Sequence, residues 1–495
     1  VPVVKTNPQF ARGNSMAFGR MSVSGVISSQ LLEQGFCWST DKEPTVLDER
    51  TTEYITNNGR IYKMLGLKPA TVYYARAYAM TKNHAVGYGD VIKIVTLPKA
   101  NITWWYSNDG PADVNERINN AFKTAIDYYW NNLTSITGYH ISCNYSPGTA
   151  TADCGYGGGM RIGANSAYQA PSTVMHESNH GIGVGTTPMW YGPSVLRANS
   201  SSGQWLGDRV TALLTFWENT PTTLTGDDTH MWPYGINGAQ EDNGSESLYY
   251  CNGLLNQALC EDGLIPVNYW SGGFCLPAYV FEHDDDTKYY IKNEDVDRGL
   301  NTSYLREGLN NRLNWTAMTA EEVAENDSAA WYITFNPVTQ YYQFRNAVTG
   351  HYLTYASSTF RLVSRTAPTV NDNFHLMRGR VDVNFTCGSD SYTTRGYWMI
   401  HPESSSTPAT MTANTLGAVG SSSFDLSDGA TKQRWLIQTL DEIQHIDLIT
   451  GIDAVTGDRQ LDAANAWYTL QGVRLQSQPT MPGIYIRGGK KVLVK

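Results

Sequence analysis

The residues best suited to chemistry concentrate in one short run, His176-Glu177-Ser178-Asn179-His180. Residues four apart share a helix face, so the two imidazoles can converge on a single ion, and Zn²⁺ suits such nitrogen ligands. Glu177, next to the first imidazole, can then accept a hydrogen bond from the attacking water and take its proton as general base. Pro171 suits the first turn of a helix and Gly181 its end, while Val174 and Met175 give that helix an apolar side to bury. A catalytic zinc usually has three protein ligands and one open position, so a third ligand must come from elsewhere in the chain. His230 is the first choice: it is the only histidine between His180 and His283. It stands among Asp227, Asp228, Trp232, Pro233 and Tyr234, a polar and aromatic cluster fit for the wall of a site. Asp208 and Glu246 are the alternatives. Tyr234 or Tyr191 could donate to a developing oxyanion. Asp227, Asp228, Glu241 and Asp242 could instead supply the carboxylate pair of a glycosidase.

Several kinds of element must position these residues. Over 113–132, Val114, Ile118, Ala121, Phe122, Ala125, Ile126 and Tyr129 fall on one stripe, which predicts an amphipathic helix with an acidic start. A strand-like GGMRIGA follows at 158–164, then the motif-bearing stretch at 170–186 and a second helix-like stretch at 203–219. Residues 99–286 therefore read as an α+β domain. Residues 1–98 alternate apolar and polar residues in short runs between turn signals, the pattern of an all-β sandwich. Between 287 and 440 an internal repeat begins at 288, 340 and 396, which argues for a threefold β architecture. Residues 441–495 end in a small β tail, with Pro482-Gly483-Ile484-Tyr485 and Gly488-Gly489-Lys490 suggesting two strands and a turn.

These segments resemble known families. GLKPATVYYARAYAMTKNHAVGYGDVIKIVTLP (66–98) resembles the fibronectin type III-like modules of secreted Bacteroidetes proteins, with Tyr74 and Tyr78 at corner and core positions and a spacer role implied. The HExxH segment resembles the zincin-type zinc metallopeptidases. That resemblance makes 158–164 the edge strand holding an extended peptide, with Arg161 and Ile162 binding substrate beside Trp232. HESNHGIGVGT is also similar to the metzincin pattern HExxHxxGxxH; Gly183 fits its turn, but Thr186 stands where the third histidine belongs. Met189 sits where a metzincin methionine turn would, although core packing is its plainer reading. Residues 287–440, closed by Gln433-Arg434-Trp435, resemble the ricin-type β-trefoil lectins, which implies glycan contact at Asn346, His351 and Tyr352. The last thirty residues resemble C-terminal sorting or anchoring modules.

Composition limits the partners. With 46 acidic and 36 basic residues the net charge is −10, spread over a chain only 17% charged, so nucleic acid is a poor partner. No run of 18 apolar residues suggests a transmembrane helix. The glycines at 155–159 lack the lysine and hydroxyl of a phosphate-binding loop. Seven cysteines form no CxxC pair; Cys143 with Cys154, and Cys251 with Cys260 or Cys275, could form short-loop disulfides or stay as buried thiols. Taken together, these features lead us to expect a secreted zinc peptidase acting on protein or glycoprotein, with a possible glycan ligand. The rival expectation is a glycan-binding surface protein whose zincin domain is silent.

Overall fold

A computed structural model describes residues 1–191, 197–198, 203–275, 281, 283–295, 303–336, 341–379, 383–387, 390–394, 396–401, 409–425, 427, 429–444, 467–468, 474–475, 483–487 and 490–494. It is a mostly β-sheet protein of several sheets that divides into two compact units: Val1–Val383 with Thr394–Leu440, and Asn384–Thr393 with Asp441–Lys495.

The first unit opens with nine strands: β1 (Val3–Arg12), β2 (Met16–Ser24), β3 (Leu31–Ser39), β4 (Glu49–Thr51), β5 (Tyr54–Thr56), β6 (Arg60–Leu65), β7 (Val72–Thr81), β8 (Val86–Tyr88) and β9 (Ile92–Val95). They form one sheet ordered β1-β2-β6-β5 and another ordered β4-β3-β7-β8, with β9 beside β7. Ala17, Tyr62 and Met64 from the first sheet share one core with Phe36, Tyr73 and Ala77 from the second. Tyr73, rather than Tyr74, joins Tyr78 among the buried residues.

The spacer role is corrected by the outer face of the first sheet. Strand alternation turns Met16, Phe18, Ile55 and Ile61 away from the sandwich core, and all four are buried in the core of the following α+β region. Phe18 meets Trp217 and Tyr250 edge to face, with centroids 5.4 and 5.1 Å apart; each such pair adds roughly 0.5–1.5 kcal/mol beyond area burial. Buried Arg20 donates to the carbonyls of Phe216 and Trp217. The sandwich therefore forms a wall of the α+β region.

That region contains β10 (Asn101–Tyr106), α1 (Ala112–Phe122), a wider π-type continuation over Lys123–Trp130, and α2 (Asn131–Leu133). The seven stripe residues between 114 and 129 are all buried, which is what places this helix against the sheet. β11 (Thr137–Tyr145), β12 (Ala152–Gly155) and β13 (Gly159–Ile162) complete a sheet ordered β10-β11-β13-β12, in which only β12 is antiparallel to its neighbour. α3 (Pro171–Ile182), α4 (Pro188–Tyr191), α5 (Asp208–Glu218), the two-residue strands β14 (Thr225–Gly226) and β15 (Met231–Trp232), and α6 (Glu246–Glu261) follow. Buried Asp262, just past α6, accepts from the Arg209 and Val210 amides and caps the start of α5.

From Tyr289 to Thr439 the described strands form a further, larger sheet system. Six of them pair in a ring: Tyr289–Asn293, Ala330–Asn336, Tyr341–Asn346, His375–Arg378, Tyr397–His401 and Arg434–Thr439. Three hairpins accompany it: Ser303–Glu307 with Leu313–Ala317, Tyr352–Ala356 with Thr359–Val363, and Ala409–Ala413 with Val419–Ser423. The repeats read from sequence each begin on a ring strand. Trp331 and Trp435, fully buried, donate from the ring to the Leu305 and Met411 carbonyls of two hairpins.

The second unit contains all but the end residues Val383 and Thr394 of the strand pair Val383–Cys387 with Asp390–Thr394, and a four-stranded antiparallel sheet. In that sheet Gly483–Arg487 pairs with Lys490–Val494, as the tail pattern suggested; Pro482, Gly488 and Gly489 lie outside the described residues. The six described cysteines are buried free thiols, so the short-loop disulfides are not formed. The side chain of Cys387 lies outside the described residues.

Candidate metal centre

The HExxH run lies on α3, which begins with Pro171 at its first turn and ends at Gly183, where φ is +130°. Helix spacing brings His176 and His180 together with Nε2 atoms 3.1 Å apart. The structure adds His230, from the loop before β15, and one nitrogen from each ring lies within 4.8 Å of the others. His176 Nδ1 is 2.9 Å from the Gly235 carbonyl and His180 Nδ1 is 2.8 Å from the Val184 carbonyl. A carbonyl only accepts, so each Nδ1 carries the proton and each Nε2 lone pair faces the shared space. Burial, with neighbouring imidazoles and against the Gly235 carbonyl, pushes His176 down to about 4, and burial lowers His180 too. Both are neutral at pH 7, the form that binds a metal.

Two glycines permit the close packing here. A Cβ on Gly181 would stand 2.1 Å from the Tyr139 hydroxyl, so its absence lets α3 settle onto the sheet. Gly185 has φ +70°, and a Cβ there would meet the Thr229 carbonyl at 2.2 Å. The helix exit can therefore abut the residue preceding His230. Thr186 lines the same cleft, but its hydroxyl donates to the His180 carbonyl at 2.6 Å, which leaves the third nitrogen to His230.

Glu177 is 5% exposed, and its Oε2 has no hydrogen-bond partner. Burial, and secondarily the charge of Asp153, pushes its carboxyl from 4.5 up to about 8. It lines a cleft of about 560 Å³ together with the three histidines. Thr151–Cys154, Ser172, Thr173 and Asn237–Gln240 also line it. These wall residues, small and mostly uncharged, had no motif to mark them in the sequence.

Other expectations need correction. β13 is an inner strand, and the edge that faces the cleft is β12. Ile162 is consequently buried, and Arg161 forms a cross-strand ion pair with Asp153 at 2.6 Å. Trp232 stands beside His230, ring centroids 6.1 Å apart and 39% exposed, but outside the cleft lining. The Tyr234 hydroxyl is turned away from the histidines: it donates to Glu218 and accepts from Asn57 at 3.4 Å, which removes it as an oxyanion donor. Tyr191 is 42% exposed and also outside the cleft lining, and Met189 packs at the edge of the core. Asp208 pairs with Arg378 and Glu246 with Lys63, so neither alternative ligand joins the histidines.

The carboxylates considered for sugar hydrolysis are engaged locally. Asp227 accepts from the Thr229 and His230 amides, Glu241 from the Asn237 amide, and Asp242 from the Tyr249 hydroxyl. Neither they nor Asp228 line the cleft. In the ring region Asn346 is buried, donating to the Ser328 carbonyl and accepting from the Val348 amide, and His351 is paired with Glu307 at 2.7 Å. The Asn346 amide is thus turned to the backbone around it, while His351 is only half-buried; Tyr352 is a half-buried residue paired with Val363.

No protein-family model and no curated sequence matches the chain. Among solved structures, an endo-β-galactosidase from Clostridium perfringens is similar over 31% of this chain and 32% of its own, at 12% identity and TM-score 0.23. An arabinofuranosidase is similar over 41% of this chain and 37% of its own, at 9% identity and TM-score 0.24. A human fibronectin type III domain matches 20% of this chain and 85% of its own length, at 22% identity and TM-score 0.15. The chain thus spans about a third of the two glycosidases, and at these scores the likenesses argue for no activity.

Proposed function

We propose that the chain is a zinc-dependent peptidase of the zincin type. The observation that carries the reading is the convergence of three imidazoles beside a buried carboxyl with an unpartnered oxygen, in a cleft walled by a strand edge. The donor set fits a zinc ion: three imidazole nitrogens, two of them held by Nδ1–H bonds to carbonyls, with room for a fourth ligand. When bound, zinc would supply Lewis acidity to the attacking water and the scissile carbonyl.

The remaining steps fall to this chain's own residues. An extended peptide can add to the outer edge of β12 through backbone hydrogen bonds, which places its carbonyl over the histidines. Glu177 takes a proton from the attacking water on one oxygen and delivers it to the leaving amine nitrogen as the C–N bond breaks. The apolar surroundings that raise its pKa also strengthen it as a base.

The same reading assigns 1–98 as a fibronectin type III-like wall, 99–286 as the zincin domain, 287–440 as a β-trefoil and 441–495 as a separate sorting or anchoring module of an exported protein. A six-stranded ring with three hairpins supports the trefoil. Its lectin role, holding the enzyme on glycosylated substrate, rests on the family resemblance. Among the described residues no helix is long and apolar enough to cross a membrane.

Elemental analysis tests the centre. The wild type should retain one zinc per chain after dialysis against dilute chelator, and His230→Ala should lose it. Zinc retained by both would remove His230 from the ligand set, and zinc in neither would end the peptidase reading.

A further inference from the structure

Three asparagine side chains are buried where the histidine helix crosses α6: Asn179 at 1% exposure, and Asn252 and Asn256 at 0%. Asn252 and Asn256 are four apart on α6 and so share the face turned to α3. An apolar trio would fill this space without the need to satisfy three amides, so their hydrogen bonds must account for them.

The bonds run to the turn after β15, the two-residue strand that directly follows the third histidine. Asn179 Nδ2 donates to the Gly235 carbonyl at 3.1 Å, the same oxygen that receives His176 Nδ1–H at 2.9 Å. Asn252 Nδ2 donates to the preceding carbonyl, Tyr234, at 2.9 Å. Asn256 Nδ2 donates to Asn179 Oδ1 at 2.9 Å and to Asn252 Oδ1 at 3.2 Å, which orients both amides with their donors toward the loop. Trp130 Nε1 adds a further bond to Asn252 Oδ1 at 3.2 Å. The loop needs such a hold, because Tyr234 and Ile236 have φ of +66° and +55°, a region that a β-branched residue avoids. Its other end is fixed separately, where the Trp190 indole donates to the Asp227 carbonyl and the His230 amide to the Asp227 carboxylate.

We infer that Asn179, Asn252 and Asn256 form an amide clamp that positions the metal centre. By holding the Tyr234 and Gly235 carbonyls against α3, the clamp fixes the orientation of the His176 ring and the approach of His230. None of the three amides touches substrate or the ligand nitrogens, so they are positioning residues. The inference rests on the proposed three-histidine metal site.

The test measures zinc affinity on the full metal-free chain by competition with a chromophoric chelator, together with the visible spectrum of bound Co²⁺ and the metal-free melting temperature. Asn179→Ala and Asn252→Ala should weaken zinc binding about 10- to 100-fold, as loss of an outer hydrogen bond to a ligating histidine does, and should change the Co²⁺ spectrum. Gln257→Ala is the control. It deletes another buried amide of α6, one that bonds Ser135 and Glu261 rather than the loop. It should lower the melting temperature while leaving zinc affinity within about twofold, because its hydrogen-bond partners are not those of the clamp.

Wild-type affinity and spectrum in folded Asn179→Ala and Asn252→Ala would overturn the clamp and leave the metal site standing. No binding by the wild type would overturn the site, and the clamp with it. Where the alanine variants do not fold, Asn179→Asp keeps the shape and the acceptor but loses the donor to Gly235, and unchanged affinity in it would equally overturn the inference.

Discussion

Replacing Glu177 by Gln separates a working general base from a merely structural carboxyl. Glutamine keeps the shape of the side chain and cannot ionise. In the metal-free protein the folded-state pKa of Glu177 is raised from 4.5 to about 8. The native state therefore holds this proton more tightly than the unfolded chain does. Its stabilising contribution is full below about pH 4.5 and is lost as pH rises to about 8. At about 1.4 kcal/mol per pH unit the full loss is about 5 kcal/mol, and water entering through the open side of the cleft reduces it to about 2 kcal/mol. Metal-free Glu177→Gln should match the wild type near pH 4 and exceed it by about 2 kcal/mol at pH 8.5. Denaturant unfolding of the chelator-treated proteins across that range reads the difference directly. With zinc restored, the variant should keep its metal and lose peptide hydrolysis by about 10²- to 10⁴-fold. A pH-independent stability difference, or a variant that still cleaves peptide, would refute the assignment.

Further outcomes follow from other contacts. Tyr234→Phe removes the hydrogen bond to Glu218, so it should cost about 1–2 kcal/mol of stability while changing kcat by less than about threefold; a larger fall in kcat would return Tyr234 to the reaction. His176 is depressed to about 4, so its contribution to stability is present above about pH 6.5 and lost as pH falls toward 4. Because this ring is only half-buried, the metal-free chain should lose about 1–2 kcal/mol over that window, and His176→Gln should abolish that part of the slope. In the ring region Arg434 is fully buried and makes three close contacts with the Glu294 carboxylate. Glu294→Ala should destabilise it by about 3–5 kcal/mol in denaturant unfolding, since it removes the carboxylate that accepts these bonds from a buried guanidinium.

The grouping of two histidines and a carboxyl was legible because a helix converts spacing into proximity: His176, Glu177 and His180 required only that 171–182 be helical. The stripe from Val114 to Tyr129 was legible for the same reason, and the ring strands at 289, 341 and 397 because a repeat needs no knowledge of contacts. His230 could be named only by elimination, since its loop is placed by contacts with segments far away in the chain, such as the Trp190 indole on the Asp227 carbonyl. The edge strand was misjudged because alternation marks a strand without giving its neighbours. Register across the sheet depends on pairings between β11, β13 and β12, and these placed Asp153 rather than Ile162 at the cleft. Two of the three asparagines, Asn252 and Asn256, did leave a signal, amides four apart on one helix, although nothing local says what they hold. Tyr234 and Asn346 looked functional because polar aromatic loops and exposed amides often are; distant partners, Glu218 and Ser328, committed them to structure. The sequence by itself thus determined the local periodicities, and with them the helix that carries His176, Glu177 and His180. Tertiary structure alone decided that His230 joins them, what walls the cleft and how the first sandwich joins the α+β core. These depend on contacts between residues far apart in the chain, for which local spacing carries no energy term.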